Sequence, residues 1–490
     1  MLKGIDLISC QGSLEKEIHS INYDSRLCGK NSLFIAVEGF KTNGHKYIES
    51  AINRGAVAIV YEEELKDKKD GITYVQVENS RLAQAFLANR FYGYPSENLS
   101  LIGVTGTNGK TSVSFLVSEI LRQWNKEIGN IGTIGNFIGD TYYESKHTTP
   151  EALDLQDLLS RMVKKGVEYC VMEVSSHSLS LNRVEGTQFD IGIFTNLSQD
   201  HLDFHPNYED YFMAKSKLFY MTSRANIING DDPYGKKLIA LLKDRDIKNY
   251  SFGIHSRCDF IAKNIEIQQR GVSFTFEGKG IRVDMFIRIP GMFSVYNALA
   301  AIVVGIIEGV PINIIKEALR NIPSVPGRFE LVDIHKPYTV IIDYAHTPDG
   351  LKNVLNTIKH FIQGELILVF GCGGDRDKTK RPIMGEIAGS LADYCIITSD
   401  NPRSENPLSI IQDIIPGVEK TTCPYTVIEN RKEAIHASLK RAKENDIILI
   451  AGKGHETYQI LKEKVIPFDE KEIIKELLSK DEEHGKVNHS

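Results

Sequence analysis

One segment constrains the fold of this chain more than any other: residues 99–124, LSLIGVTGTNGKTSVSFLVSEILRQW. Its first part, residues 99–104, is a short apolar run that predicts a buried parallel strand. Apolar residues then recur at helical spacing from Val113 to Trp124, which predicts an amphipathic helix. A strand, a glycine-rich turn and a helix in this order are typical of a phosphate-binding loop.

The turn between this strand and helix contains the residue types that a nucleoside triphosphate requires. Gly106 and Gly109 allow backbone N–H groups to approach phosphate oxygens, and Lys110 adds positive charge at the β- and γ-phosphates. The Thr111 hydroxyl can ligate Mg²⁺. The strict pattern places its first glycine where this chain has Val104. The alternative is a glycine-rich turn without a ligand, but the lysine, the hydroxyl and the helix in register favour the phosphate loop.

Length, charge and cysteine usage limit the class of protein. A chain of 490 residues exceeds what one core usually serves, so two or three domains are expected. A net charge of −6 leaves no basic stripe for nucleic acid. The seven scattered cysteines predict reduced thiols rather than a disulfide framework or a zinc cluster. No apolar run approaches the ~18 residues that span a bilayer, so we expect a cytoplasmic protein without membrane insertion.

The pattern of strands and helices predicts an α/β protein of three domains. These are a small N-terminal α/β domain at residues 1–96, a central domain with a P-loop-type, mostly parallel sheet at 97–326, and a C-terminal Rossmann-like α/β domain at 327–479, with a polar tail at 480–490. Strands are predicted at 32–37, 56–61, 72–77, 168–174, 190–195, 225–229, 339–342, 366–370, 394–398 and 446–451. Ligands of such sheets bind beyond the carboxyl ends of the strands.

Polar residues follow two strands of the central domain. Glu173 comes directly after an apolar strand, at the edge where a second Mg²⁺ ligand would lie. A lone carboxylate in that position is more often only solvated. Four residues crowd the next loop, Asp200, His201, Asp203 and His205, which indicates either a metal site or a polar loop with helix-capping aspartates.

Several segments, taken together, resemble the Mur ligases, whose ATP loop, like that of the related folylpolyglutamate synthases, is similar to TGTNGKTS. The central domain of that family is matched in order by MEVSSH, TNLSQDHLDFH and YFMAKSKLF. The branch that adds the third amino acid of the peptidoglycan stem peptide is matched by VPGRFE, IDYAHTPDGL, VFGCGGDRDKTKRPIMG, TSDNPRSENP and AGKGHETYQ. The GCGGDR run has Arg376 where a dinucleotide-binding fingerprint needs glycine, so no Rossmann cofactor site is predicted.

The resemblance implies an ATP- and Mg²⁺-dependent ligase of cell-wall peptidoglycan synthesis. It implies ATP contacts from Gly106, Thr107, Asn108, Gly109, Lys110, Thr111, Ser112, Asn297, Arg328, Asp343 and His346. It assigns catalysis to Lys110, Glu173, His201 and Lys215, and magnesium binding to Thr111, Glu173, His201 and a carbamylated Lys215. Considered alone, Lys215 indicates a solvated or snorkelling charge, whereas carbamylation converts an ammonium into an anionic oxygen ligand.

The first domain is similar to the family's uridine-diphosphate module. The implied contacts to the UDP-substrate are Ser25, Thr148, Thr149, Ser175 and Arg183. The DSR triplet that contains Ser25 predicts by itself only a turn. Leu181 stands where many relatives have glutamine, so one polar contact to the substrate is missing or comes from elsewhere.

The segment Asp400–Arg403 resembles the signature of relatives that add meso-diaminopimelate. This substrate carries a carboxylate that lysine lacks, and the planar guanidinium of Arg403 could hold it with two hydrogen bonds. The implied amino-acid contacts are Arg376, Asp400, Asn401, Pro402, Arg403, Gly452 and Glu456. The alternative is an ordinary proline turn with an exposed arginine.

These resemblances imply that the chain joins meso-2,6-diaminopimelate to UDP-N-acetylmuramoyl-L-alanyl-D-glutamate through an acyl phosphate, with ATP consumed. We expect a monomer. The alternatives are the same reaction with L-lysine, a folylpolyglutamate-synthase-like ligase, and a nucleotide-dependent switch. The dense charged loops of the third domain speak against a switch, which needs no second substrate site.

Overall fold

The computed structural model describes residues 2–39, 42–145, 147–322, 324–462 and 464–487, with side chains up to Asp481. The strands are β1 (Leu7–Gln11), β2 (Ser20–Asn22), β3 (Ser32–Ile35), β4 (Ala56–Tyr61), β5 (Thr73–Val77), β6 (Ser100–Thr105), β7 (Ile128–Ile131), β8 (Asn136–Ile138), β9 (Thr141–Tyr143), β10 (Tyr169–Glu173), β11 (Phe189–Phe194), β12 (Thr222–Asn229), β13 (Lys248–Gly253), β14 (Phe260–Gln268), β15 (Gly271–Gly278), β16 (Ile281–Ile287), β17 (Glu330–Val332), β18 (Thr339–Asp343), β19 (Leu366–Phe370), β20 (Tyr394–Ile397), β21 (Tyr425–Val427), β22 (Ile447–Ala451), β23 (Tyr458–Leu461) and β24 (Lys464–Pro467).

The α-helices are α1 (Ile48–Asn53), α2 (Ser80–Phe91), α3 (Lys110–Gln123), α4 (Ala152–Lys164), α5 (Ser176–Ser180), α6 (Tyr208–Ser216), α7 (Pro233–Leu241), α8 (Met292–Glu308), α9 (Ile312–Asn321), α10 (Pro348–Lys359), α11 (Lys380–Leu391), α12 (Pro407–Val418), α13 (Arg431–Arg441) and α14 (Glu470–Val487). The chain forms two compact units. The first unit contains residues 1–105, 126–192 and 214–226, and the second contains 106–125, 193–213 and 227–490.

The first unit contains two sheets. The smaller has the order β1-β5-β4-β3-β2, with β2 to β5 parallel and β1 antiparallel to β5. Both faces of this sheet are covered: Ile35 and Val60 belong to one apolar cluster, and Phe34 and Ile59 to another. Burial on both faces is usual for parallel strands. In the other sheet, successive strands follow the order β11-β6-β10-β7-β8-β9, and β6 and β10 end together because Glu173 pairs with Val104.

The second unit is also built on sheets. Strands β14, β15 and β16 form an antiparallel meander next to β13. A six-stranded sheet has the order β17-β18-β22-β19-β20-β21, in which β17 alone is antiparallel to its neighbour. The carboxyl ends of β18, β19, β20 and β22 therefore lie along one edge, where the polar loops of the third predicted domain begin. Within the described residues, no helix has the length and apolar character needed to cross a membrane.

The predicted strands and the helix of the phosphate loop appear with small shifts. The strand predicted at 99–104 lies at Ser100–Thr105, and the helix after the loop begins at Lys110. The meander of β14 to β16 and the exposed edge strand β1 were not predicted. The last helix continues to Val487, past position 479 where the sequence predicts a polar tail, and residues 488–490 lie outside the described part of the chain.

A buried ion pair joins α13 to the last helix. The side chains of Arg431 and Glu470 are 0% and 1% exposed, and Nε lies 2.7 Å from Oε1. Removing one partner leaves a buried charge unpaired, which costs about 3–5 kcal/mol. We therefore expect Glu470→Ala to lower the midpoint of thermal unfolding in calorimetry. The control is Glu472→Ala, in an exposed pair of the same helix; equal midpoints for the two variants would contradict this role of the pair.

Candidate active site

The glycine-rich loop between β6 and α3 has the backbone shape that phosphate binding requires. Gly106 has a φ of +148° and Gly109 a φ of +89°, which favour glycine. A Cβ at Gly109 would lie 2.6 Å from Asn297 Oδ1, so a larger residue would displace the asparagine. The Lys110 ammonium donates to the carbonyl oxygens of Gly106 and Thr107, both at 2.9 Å. The lysine is therefore folded over its own loop.

A second cation, Arg328, contacts the same loop. Its Nη2 donates to Thr111 Oγ1 at 3.1 Å, and its guanidinium carbon lies 4.4 Å from the centre of the Tyr344 ring. Asn108 connects the loop to α10, since its Nδ2 donates to Asp349 Oδ2 at 3.1 Å. Arg328, which follows α9 in the chain, therefore places a positive charge next to the Thr111 hydroxyl.

A cavity of about 370 Å³ opens beside this loop, within the size range of small-ligand sites. Six lining residues were predicted as ATP contacts: Asn108, Gly109, Ser112, Asn297, Arg328 and Asp343. Lining residues that the sequence reasoning missed include Asn196, Asp232, Met292, Phe293, Tyr296, Tyr344 and Asn353. The apolar and aromatic members suit a flat base, and the loop suits phosphates.

Asp343, at the end of β18, shapes the backbone of this cavity. Its carboxylate accepts from the N–H groups of Phe329 at 2.6 Å and Ala345 at 2.7 Å. Burial raises the pKa of Asp343, and the charge of Arg328 opposes that rise. The carboxylate therefore holds the turn that carries Arg328 next to the end of the strand.

His346 lies beside a buried carboxylate, Asp200, and is not among the cavity-lining residues. Its Nδ1 donates to the Tyr344 carbonyl at 2.8 Å, so Nε2 faces Asp200 at 3.8 Å. Burial, with the charge of Lys380, lowers the pKa of His346 to about 4. Burial opposes ionisation of Asp200, but the charges of His201 and Lys380, at 3.3 and 3.7 Å, hold its pKa below the usual range. Lys380 was not predicted as a site residue, and Asp200 was noted only as part of a loop that is either a metal site or a polar loop with helix-capping aspartates.

The predicted magnesium ligands belong to both units. Thr111 and His201 lie in the second unit, and Glu173 and Lys215 in the first. Among the described residues, no group of three or more His, Cys, Asp or Glu side chains is arranged to hold a metal ion. Only two of the predicted magnesium ligands, Glu173 and His201, are side chains of those types. The other two are the hydroxyl of Thr111 and a carbamylated Lys215. The magnesium site therefore stays a prediction.

Glu173 and Lys215 are both buried in the first unit, at 1% exposure each. Oε1 of Glu173 accepts from Thr133 N at 2.8 Å and Oε2 from Thr133 Oγ1 at 3.0 Å. The Thr133 hydroxyl also lies 3.1 Å from that of Thr148, one of the predicted UDP-substrate contacts. The carboxylate thus has a fixed orientation at the end of β10, and Lys215 lies in the last turn of α6.

The predicted UDP-substrate residues fall into two groups of contacts in the first unit. Ser25 lines a cavity of about 620 Å³ together with Tyr23, Asp24, Arg26, Arg81, Gln84, His147 and Glu151. Thr149 Oγ1 donates to the Glu173 carbonyl at 2.8 Å, and Ser175 N donates to the same hydroxyl at 3.1 Å. Arg183 reaches the carbonyl of Thr149 at 3.2 Å. Arg183 also forms an ion pair at 2.7 Å with Glu151, which was not predicted as a site residue.

The predicted amino-acid contacts meet at the edge of the six-stranded sheet. Asn401 Nδ2 donates to Glu456 Oε2 at 2.8 Å, and the fully buried Lys453 donates to both residues, at 3.2 and 3.0 Å. Asp400 accepts from the N–H of Asn401 at 2.6 Å. A Cβ at Gly452 would lie 2.5 Å from the Asp400 carboxylate, so only glycine fits there. Lys453 is a further residue that the sequence reasoning missed.

Arg403 is the half-buried cation of this group. Its Nη1 donates to the carbonyl oxygens of Gly374 at 2.7 Å and Asn401 at 3.4 Å. Burial, then the charge of Arg376, lowers the pKa of Arg403. Within the described residues neither arginine has a carboxylate in salt-bridge range. Two neighbouring guanidinium groups of this kind can bind an anion.

Models of one protein family match most of the chain. The Mur ligase family catalytic domain matches residues 17–92, the Mur ligase middle domain 104–305, and the Mur ligase glutamate ligase domain 327–454. The chain therefore belongs to the Mur ligase family, and the identification made from its motifs is confirmed.

Relatives of known name extend this likeness over the whole chain. The UDP-N-acetylmuramoyl-L-alanyl-D-glutamate--2,6-diaminopimelate ligase of Caldanaerobacter subterraneus subsp. tengcongensis is 51% identical over 482 residues, which cover 98% of this chain and 99% of the relative. The ligase of the same name from Clostridium botulinum is 49% identical, covering 95% of this chain and 96% of that one. A solved structure of a ligase with this name is 30% identical, with a TM-score of 0.67 and 95% of each chain covered. The predicted three-domain α/β fold is confirmed as that of the family.

Proposed function

We propose that this protein adds meso-2,6-diaminopimelate to UDP-N-acetylmuramoyl-L-alanyl-D-glutamate, with ATP converted to ADP and phosphate. The observation that carries the proposal is the 51% identity to a ligase of that name over nearly the full length of both chains. The half-buried Arg403, with Arg376 and without a carboxylate partner in the described part of the chain, agrees with a substrate that brings its own distal carboxylate. The reaction belongs to the cytoplasmic part of cell-wall synthesis.

In this mechanism ATP phosphorylates the D-glutamate side-chain carboxylate of the UDP-substrate. The amine of diaminopimelate then attacks the acyl phosphate, forms the amide and releases phosphate. Lys110 and the loop N–H groups stabilise the charge on the transferred phosphoryl group, and Arg328 adds a second cation at Thr111. These steps need no protein nucleophile, so positioning and electrostatics supply most of the rate increase.

The residues proposed around magnesium suit that ion chemically. Hydroxyl, carboxylate and carbamate oxygens are hard ligands of the kind that Mg²⁺ takes, and His201 adds one nitrogen. Bound magnesium would neutralise charge on the phosphates. Lys215 is 1% exposed, and carbamylation requires the neutral amine, the form that reacts with carbon dioxide. We infer a carbamylated Lys215 on this basis.

In this proposal each of the three predicted domains binds a different substrate. Residues 1–96 bind the UDP part, residues 97–326 bind ATP, and residues 327–479 bind the amino acid. Ser25 and its cavity, the loop at 106–112 with its cavity, and the Arg403 group support the three assignments in turn. One chain supplies all three binding regions, so we propose that the protein acts as a monomer.

The deciding experiment is phosphate release from ATP in the presence of the UDP-muramoyl dipeptide and a panel of amino acids. We expect release with meso-diaminopimelate and about a hundredfold lower kcat/KM with L-lysine, because a charged hydrogen-bonded pair contributes about 1.5–3 kcal/mol. Equal use of both amino acids would favour the lysine alternative. Release with a folate substrate in place of the UDP-substrate would favour a folylpolyglutamate-synthase-like ligase.

The role of Lys215 gives a separate prediction. Lys215→Ala should keep the fold and the affinity for the UDP-substrate but lose most ligase activity, because a metal ligand aids charge neutralisation rather than packing. Phosphate release and thermal unfolding check the two parts. Lys217→Ala is the matched control, since that side chain is exposed two residues further on. Near-normal turnover of Lys215→Ala would refute the carbamate ligand.

A further inference from the structure

The second residue of α11, Arg381, is among the largest fully buried side chains of the protein, at 0% exposure. Its guanidinium donates to both carboxylate oxygens of Glu405, from Nη1 at 3.0 Å and Nη2 at 2.8 Å. Nη1 also donates to Asp413 Oδ2 at 2.8 Å, and Nη2 to the Gly373 carbonyl at 3.3 Å. One buried cation therefore holds two carboxylates and one backbone carbonyl.

These partners belong to the two loops that carry the predicted amino-acid contacts. Gly373 lies in the loop after β19, which we call loop A (residues 371–376), and Glu405 follows Arg403 in the loop after β20, loop B (residues 400–405). Glu405 Oε1 also accepts from the N–H of Asp375 at 2.6 Å. Arg381 and Glu405 thus connect loop A to loop B through side chains that solvent hardly reaches.

The two loops also contact each other directly. The N–H of Gly374 donates to the Asn401 carbonyl at 2.9 Å, and Arg403 Nη1 donates to the Gly374 carbonyl at 2.7 Å. A Cβ at Gly374 would lie 1.9 Å from the carbonyl oxygen of Pro402. The loops are therefore closer than any side chain at that position would permit, and a shift of loop A moves the carbonyl that orients Arg403.

We propose that Arg381 is a positioning residue for recognition of the amino-acid substrate: with Glu405 and Asp413 it fixes loops A and B so that Arg403 and Arg376 face one carboxylate. The inference rests on the proposed function, in which that carboxylate is the distal one of diaminopimelate. Arg381 does not touch the substrate. Its effect reaches the substrate through the spacing of the two guanidinium groups.

The test is steady-state kinetics of Arg381→Lys with each of the three substrates varied in turn. A lysine keeps the charge but cannot bond both oxygens of Glu405 and the other two acceptors at once. We expect the KM for meso-diaminopimelate to rise about tenfold to a hundredfold, as for small misplacements of binding groups. The KM values for ATP and the UDP-substrate, and kcat at saturating diaminopimelate, should stay within about twofold.

Two further variants keep the test decisive. Asp413→Asn removes the negative charge of a half-exposed partner of Arg381 and should raise the same KM less, and it replaces Arg381→Lys if that variant does not fold. Lys378→Ala removes a surface cation that also pairs with Glu405, at 3.3 Å and 66% exposure, and should change nothing. A lower melting temperature with an unchanged KM for diaminopimelate, or an equal rise of all three KM values, would overturn the proposal. Failure of the unmodified protein to use diaminopimelate would instead overturn the proposed function.

Discussion

Lys110→Ala is expected to reduce ATP-dependent amide formation at least about a thousandfold, the scale of losing a main charge-stabilising group in phosphoryl transfer. In the structure the Lys110 ammonium is held by the carbonyl oxygens of Gly106 and Thr107. Bound phosphates would draw it toward their own oxygens, because an ammonium group is attracted more strongly by an anionic oxygen than by a neutral carbonyl oxygen. Phosphate release under saturating substrates measures the loss.

The same variant should still bind the UDP-substrate, because the cavity that contains Ser25 lies in the first unit and Lys110 in the second. Calorimetric titration with the UDP-muramoyl dipeptide checks this. Arg122→Ala removes a half-exposed cation from the last turn of the same helix and should leave both activity and binding unchanged. Loss of binding together with activity, in a variant that keeps its melting temperature, would contradict the assignment of the two cavities.

The phosphate loop could be predicted because its signals are local. An apolar run, two glycines, a lysine and a helical repeat follow one another within the segment 99–124, and each determines nearby backbone conformation. The observed strand Ser100–Thr105 and helix Lys110–Gln123 follow that pattern closely. By contrast, β14 has the sequence FIAKNIEIQ, and it contains the exposed, charged side chains of Lys263 and Glu266. Its stability comes from pairing with β15, which no short window of sequence indicates.

In the candidate site, too, some residues could be predicted from local motifs and others could not. Motifs indicated Asn297, Arg328 and Asp343, and the structure brings them to one cavity with the loop. Asp200, Lys380 and Arg381 carry buried charges that depend on partners far along the chain. In the sequence, KTKRP around Lys380 is a run of cations of the kind that usually lies on a surface. Only the packing of α11 shows that two of its cations are buried.

Arg403→Ala should raise the KM for meso-diaminopimelate about tenfold to a hundredfold and reduce the preference over L-lysine to less than about tenfold, since a hydrogen bond to a charged group contributes about 1.5–3 kcal/mol. The KM values for ATP and the UDP-substrate should not change. Lys420→Ala, which removes a surface cation paired with Glu386, is the control. Competition between the two amino acids for limiting enzyme measures the preference directly.

The size of this effect follows from the surroundings of Arg403. Its φ of +52° is unusual for a side chain of this size, and the backbone is held there because its N–H donates to the Ile460 carbonyl at 3.1 Å and its carbonyl accepts from Lys462 at 2.7 Å. Such a fixed guanidinium, with its pKa lowered by burial and by Arg376, gains most from an anion. Lysine brings none, so its binding should hardly depend on Arg403. An equal loss for both amino acids in Arg403→Ala would show that the arginine supports the loop and does not select the substrate.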